Sequence, residues 1–221
     1  MRIVIDTADE GEAFEVLSQY WLRLGLKLGH WTTFSWMGRQ LVQLPDDVLR
    51  LAEAVWQLRP GVIVETGVYE GGSALLFASL CRMTGRGRVI SVEAAPRPGV
   101  REALAAHGVK LIEGDSASPD TAERVRRLIR PGEQVFVFLD SDHSRNHVRA
   151  ELEHYSPLVS PGSYIVVADT ILEGEDTPGA AVAEFLKAHP EFIAGRPDPR
   201  FQAQADFGHL SYFSDGWLKR R

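Results

Sequence analysis

The sequence predicts an α/β fold: a mostly parallel, doubly wound sheet with helices on both faces and a helical cap on its N-terminal side. Three observations carry that expectation. From Gly61 onward, short β-branched or apolar runs alternate with amphipathic segments, as strands covered by helices do. The pairs Pro131-Gly132 and Pro161-Gly162 end helices just ahead of the next apolar run. The runs also close on acids, and in such a sheet ligands collect at the carboxyl ends of the strands.

Taken in order, strands are expected at Val62–Glu65, Arg88–Glu93, Lys110–Glu113, Val135–Asp140 and Tyr164–Asp169. Helices are expected between and after them at Ser73–Met83, Val100–His107, Thr121–Arg130, Ser144–Tyr155 and Gly179–Ala188. Residues 1–60 show no strand signal and gather Tyr20, Trp21, Trp31, Phe34 and Trp36 in a mostly helical stretch, read as a cap on the core at 61–221 within one domain. Those aromatics pin the cap to the sheet or face a ligand. The tail from Phe201 to Trp217 reads as a loop leading into a last edge strand, and no repeat or low-complexity tract appears.

With 44% hydrophobic and 24% charged residues, the 221-residue chain can bury a sizeable core. Its net charge of -6 provides no broad basic surface for phosphates, so a small molecule is the expected partner and nucleic acid is not. Cys81 lies in an apolar helical pattern, reads as a buried structural thiol and suits a reducing cytoplasm. The start of the chain has no signal-peptide pattern and no apolar run is long enough to span a bilayer, so a soluble, cytoplasmic protein is expected. Edge strands and cap aromatics favour a homo-oligomer.

The first crossover carries the most chemistry. Glu65 closes a strand and is followed by Gly67, Gly71, Gly72 and Ser73. Glycines let a backbone pass close to a ligand, and a helix N-terminus offers unpaired N–H groups. A dinucleotide site uses the same turn with G-x-G-x-x-G, whereas the spacing here is G-x-x-x-G-G. A carboxylate at Glu65 would also oppose a pyrophosphate and attract the ammonium of a methionine moiety, which points to S-adenosylmethionine. Glu93 can accept hydrogen bonds from ribose hydroxyls, and Asp115 and Ser116 fall where an adenine edge could be met, although a turn or helix cap explains that pair as well.

Val64-Glu65-Thr66-Gly67-Val68 with Gly71-Gly72-Ser73, Leu139-Asp140-Ser141-Asp142-His143 with His147-Val148, and Tyr155-Ser156-Pro157-Leu158-Val159 through Gly162-Ser163-Tyr164 to Asp169-Thr170 resemble one family. It is the cephalosporin-hydroxylase-type methyltransferases, which include the rhamnosyl O-methyltransferases. Trp36-Met37-Gly38 and Gln43-Leu44-Pro45-Asp46 resemble its leading segment. The resemblance implies a Rossmann-like class I methyltransferase. It would move a methyl group from S-adenosylmethionine to a hydroxyl of a sugar or antibiotic-type natural product, often with magnesium beside the acceptor.

The resemblance also implies site residues. Asp140, at the cofactor, and Asp169 match metal-binding acids, and Asp142 matches a base. His143 competes with Asp142 for that role because imidazole titrates near neutrality. The family commonly carries a second acid just before the position of Asp169; here stands Ala168, which weakens the metal site. Arg145 replaces a frequent histidine and suits an acidic substrate group. Trp31, Phe34, Trp36 and the tail around Arg196–Phe207 are expected to line the acceptor pocket. Two other functions stay open at this point: a non-catalytic S-adenosylmethionine-binding partner of another enzyme, and a nicotinamide-dependent reductase disfavoured by Glu65 and the glycine spacing.

Overall fold

A computed structural model describes residues 9–197 and 210–221. The cap opens with α1 (Glu10–Leu28), which starts where the Asp9 side chain accepts the Glu12 N–H at 2.9 Å and stops at Gly29 in the left-handed region. A 3₁₀ turn at His30–Thr33 leads to a hairpin of β1 (Ser35–Trp36) and β2 (Arg39–Gln40), and α2 (Pro45–Leu58) follows with proline in its first turn. The hairpin corrects the strandless reading of the cap. Strands of two residues are too short to show alternation, and the turn places Met37 and Gly38 at positive φ without an Asn-Gly or Asp-Gly signature.

The main sheet comprises β3 (Val62–Thr66), β4 (Arg88–Glu93), β5 (Lys110–Glu113), β6 (Val135–Leu139), β7 (Tyr164–Val167), β8 (Phe192–Ala194) and β9 (Trp217–Arg220). Their order is β5-β4-β3-β6-β7-β9-β8. Neighbours from β5 to β7 are parallel, while β9 runs antiparallel between β7 and β8. The last strand is therefore interior and β8 forms the edge, a second correction. The helices α3 (Gly72–Thr84), α4 (Val100–Ala106), α5 (Pro119–Arg126), α6 (Arg145–Tyr155) and α7 (Pro178–Ala188) lie within a few residues of expectation. The largest difference is at α5, which begins earlier, with proline at its first turn, and ends at Arg126.

Strand side chains alternate between two apolar layers. Ile63, Phe136, Phe138 and Val166 pack with α2, α3 and α4, whereas Val62, Val64, Val137 and Ile165 pack with α5, α6 and α7. The cap enters the first layer through Leu22, Leu41, Leu44 and Leu51, with Trp31, Phe34 and Trp36 packed against it. Cys81 is buried there, and burial pushes its thiol up to about 11, in keeping with a structural role. The cap is also tied to the far end of the chain. Asp47, fully buried, accepts the Ser211 hydroxyl at 2.5 Å and the Tyr212 N–H at 2.9 Å. No helix among the described residues is long and apolar enough to cross a membrane.

Candidate active site

The strand order reverses at β3, so a crevice opens where the ends of β3 and β6 diverge toward their helices. Those ends nearly touch. Gly67, at φ 78°, sits so close to β6 that a β-carbon there would lie 1.9 Å from the Asp140 carbonyl oxygen. On either side of this contact lies a cavity, of about 370 Å³ and about 360 Å³, and both are lined by Gly67, Tyr69, Asp140 and Ser141. They form one groove pinched at Gly67.

The second cavity is polar. Glu93 shapes its rim, its Oε2 accepting the N–H groups of Val68 at 2.9 Å and Tyr69 at 3.0 Å, and its Oε1 that of Ala95 at 3.1 Å. The Arg97 guanidinium lies 3.9 Å from the centre of the Tyr69 ring and also meets Glu70. Deeper in, His147 Nε2 lies 3.0 Å from the Ser116 hydroxyl and 3.1 Å from that of Ser141. Ser141 in turn donates to Glu151 Oε1 at 2.7 Å. Glu151 is wholly enclosed on α6, and burial raises its carboxyl. This wall offers hydroxyl, imidazole and carboxylate groups to a polar ligand.

The first cavity has an apolar wall of Leu26, Trp31, Leu172 and Tyr212, and a charged end. There His143 Nε2 stands 3.1 Å from Asp169 Oδ2 and 3.7 Å from Asp140 Oδ1. Gln43 donates to the other oxygen of Asp140 at 2.8 Å, fixing that carboxyl from the cap side. Burial, with Asp169 nearby, pushes Asp140 up to about 7 despite His143 and Gln43, and burial raises Asp169 as well. The Asp140 carboxylate, with Asp169 beside it, holds the His143 ring up at about 9 against burial. The group is a carboxylate–imidazole–carboxylate cluster sharing protons at a cavity wall.

Of the residues singled out from sequence, Gly67, Ser73, Asp140, His143, Asp169 and Trp31 line the first cavity, and Glu93, Asp115, Ser116 and Asp142 the second. Asp142 is committed to a turn, its Oδ1 accepting the Ser144 N–H at 2.8 Å, and the Ser144 hydroxyl together with that N–H lowers its pKa. It lines the second cavity and not the first. Gly71 caps α3 and faces Leu104 rather than the groove. Trp36 turns inward, its indole N–H donating to Ser79 at 3.1 Å. Arg145 is held by Glu184 of α7 and lines neither cavity. In the tail, Asp198–Phe207 lies outside the described residues, and Arg196 borders a different hollow beside α7. Gln43, Ser141, His147, Glu151 and Tyr212 were not expected at the site.

Glu65 also departs from expectation. It is wholly buried on the Ile63 side of β3, accepts the Ser91 hydroxyl at 2.6 Å, and lines neither cavity. Burial pushes it up to about 7, and the hydroxyls of Ser73 and Ser91 only partly offset this. Its electrostatic pull on a cationic guest is therefore indirect and less than a full charge near neutrality. Because the folded pKa lies above the ordinary value, the folded chain holds a proton that the unfolded chain releases between about 4.5 and 7. Stability from this group is greatest below that window and falls as pH rises through it, by about 3 kcal/mol in all. Glu65→Gln is expected to flatten the decline in thermal midpoint between those pH values; an unchanged slope would refute the assignment.

This strand order, with a groove split at the switch point, is that of a Rossmann-like class I methyltransferase. The chain belongs to the Rhamnosyl O-methyltransferase/CmcI family, which it matches over residues 28–221, and is an S-adenosylmethionine-dependent O-methyltransferase. It is similar to the rhamnosyl O-methyltransferase of Mycobacterium leprae (strain TN), with 32% identity over 200 residues, 86% of this chain and 85% of that one. Its fold is similar to that of CmcI solved with magnesium and S-adenosylmethionine, at TM-score 0.64 and 22% identity over 86% of this chain and 77% of that one. It is also similar to that of an O-methyltransferase from Bacillus cereus in complex with S-adenosylhomocysteine, at TM-score 0.54 and 19% identity over 87% and 85%.

Proposed function

We propose that the groove holds S-adenosylmethionine across the Gly67 contact, with its nucleoside toward Glu93, Asp115 and Ser116 and its methionine end toward Ser73. In this reading the acceptor hydroxyl enters the first cavity and meets His143 between Asp140 and Asp169. The observation that carries it is the groove's asymmetry: the second cavity offers a polar wall, while the cluster of two carboxylates and an imidazole stands beside an apolar wall in the first. Trp31 and Leu172 give that wall a surface on which a sugar ring can lie. Because the Mycobacterium leprae relative is a rhamnosyl O-methyltransferase, a rhamnosyl or similar deoxysugar hydroxyl is the acceptor class we assign.

The chain's part in the reaction is to orient the acceptor and take its proton. The acceptor oxygen forms a bond to the methyl carbon, the carbon–sulfur bond breaks with its electrons staying on sulfur, and the hydroxyl proton passes to the proton-sharing cluster that Asp140 and Asp169 form with the His143 ring. Asp169 and Asp140 hold that ring in place and stabilise its charged form. A sulfonium in the same cavity disfavours the charged ring beforehand, which readies it as a base. Asp142, tied to Ser144, serves as a turn-former at the start of α6.

Asp140, His143 and Asp169 bring one ligand atom each to within 4.8 Å of one another, so a divalent cation fits between the carboxylates. Oxygen ligands suit magnesium, and Ala168 adds none. Asp140 and Asp169 are the residues that would hold it; magnesium there lowers the pKa of an acceptor hydroxyl. We place the enzyme in the cytoplasm, as a homo-oligomer whose residues 1–60 cap its own core.

Calorimetry with S-adenosylmethionine, with and without magnesium, followed by methyl transfer to rhamnosyl glycosides, tests the reading. Binding with stoichiometric methylation supports it. Binding without turnover on any sugar acceptor would favour a non-catalytic partner role, and preference for a nicotinamide dinucleotide would end the proposal.

A further inference from the structure

Helix α1 presents two faces. One meets the body of the protein through Ser18, Leu22 and Gly25. The other carries Phe14, Leu17, Trp21, Leu24 and Leu28, alternately three and four residues apart. That is the a/d spacing of a helix seam. Four of these side chains are exposed, Leu17 at 46%, Trp21 at 41%, Leu24 at 39% and Leu28 at 77%, with the Trp21 ring also meeting His30 edge-on. Single exposed leucines need no explanation, but a continuous row in heptad register is a contact surface.

The charges on α1 say what fits it. Glu10, Glu12 and Glu15 occupy its first half, and Arg23 and Lys27 its second. Two copies laid parallel would set like charge against like, whereas two laid antiparallel set each acidic half against a basic one. An antiparallel pair centred on Gln19, the midpoint of Glu10–Leu28, also brings the apolar rows into register: Phe14 lies opposite Leu24, and Leu17 opposite Trp21. Arg23 already meets Glu173 at 3.1 Å, but both side chains are largely exposed, so that contact is of small worth and leaves the guanidinium within reach of a second carboxylate.

We infer that α1 is the dimerisation element of this chain, pairing antiparallel with α1 of a second copy about a two-fold axis near Gln19. This rests on the homo-oligomer reading above and names its surface. Two such rows would bury on the order of 1,000 Å² together, about the lower bound for a specific interface.

Sedimentation equilibrium of the full chain tests this. The wild type is expected at twice its 24.5 kDa mass, and Leu17→Glu with Leu24→Glu at the monomer mass, with unchanged circular dichroism and S-adenosylmethionine binding. Should that variant misfold, surface charge variants decide. Glu12→Lys with Glu15→Lys is expected to weaken the dimer at least about tenfold, and adding Arg23→Glu and Lys27→Glu to restore it. A parallel pair would show no such rescue. A monomeric wild type overturns this proposal together with the homo-oligomer reading, and one that instead sediments with anionic vesicles gives the row to a membrane surface. An oligomer that survives both the leucine and charge variants overturns only the assignment to α1.

Discussion

His143→Ala is expected to lower kcat by about 10²–10⁴-fold while leaving S-adenosylmethionine affinity unchanged, the usual loss when a positioned acid–base group is removed. The ring belongs to the chemical end of the groove alone: it lines the first cavity and not the second, so the nucleoside end keeps every group that faces it. Without it, Asp140 and Asp169 confront each other across a gap with no intervening cation, and the proton of the acceptor hydroxyl loses the imidazole that takes part in accepting it. His143→Gln preserves volume and a donor but cannot take a proton, so it should share the loss in kcat. Asp142→Asn is expected to be mild, because the amide oxygen can still accept from the Ser144 N–H. Single-turnover rates and calorimetry read these effects separately. Near-normal turnover in both His143 variants would leave the cluster without a catalytic role.

Gly67→Ala is expected to cost more than about 3 kcal/mol of stability and to abolish cofactor binding. The added carbon would lie 1.9 Å from the Asp140 carbonyl oxygen and 2.7 Å from Ser141 Cα, and both obstacles are backbone, which cannot swing aside. Strand β6 would have to retreat from β3, taking with it the two residues that line both cavities. Gly132→Ala provides the control. It has the same left-handed backbone, at φ 82°, but nothing within 4 Å of the new carbon, so it isolates the conformational cost of about 1–2 kcal/mol. Urea denaturation of the two variants gives the difference; equal losses would mean that the close approach at Gly67 is of no consequence.

The parallel core was legible because strands buried on both faces read as unbroken apolar runs, as at Val135–Leu139, and because turn pairs punctuate them. The edge strand β8 was missed: only its first residue is buried, so Phe192–Ala194 lacks that run. At the site, acids at strand ends led to Asp140, Asp169 and Glu93, all of which line one or both cavities. Glu65 shows the limit of that guide. Whether a strand-end acid faces ligand or core depends on which side of the pleat it occupies, and Glu65 follows Ile63 inward. Gln43 and Tyr212 come from irregular segments far apart in sequence, and only the folded chain brings them to one cavity. Arg145 and Trp36 looked like ligand-facing groups, yet each had a partner, Glu184 and Ser79, that no local pattern announces.

The tie between Asp47 and Ser211–Tyr212 bears on how the molecule matures. Its two ends are separated by 164 and 165 positions along the chain, so the acid on α2 waits for Ser211 and Tyr212 to be synthesised before its oxygens are satisfied. Because β9 is then inserted between β7 and β8, a nascent polypeptide halted short of Ser211 leaves a gap in the sheet as well as an unpaired acid in the cap. Assembly thus depends on a strand far from its neighbours in sequence, and a chain cut before Trp217 should yield aggregation rather than a trimmed enzyme.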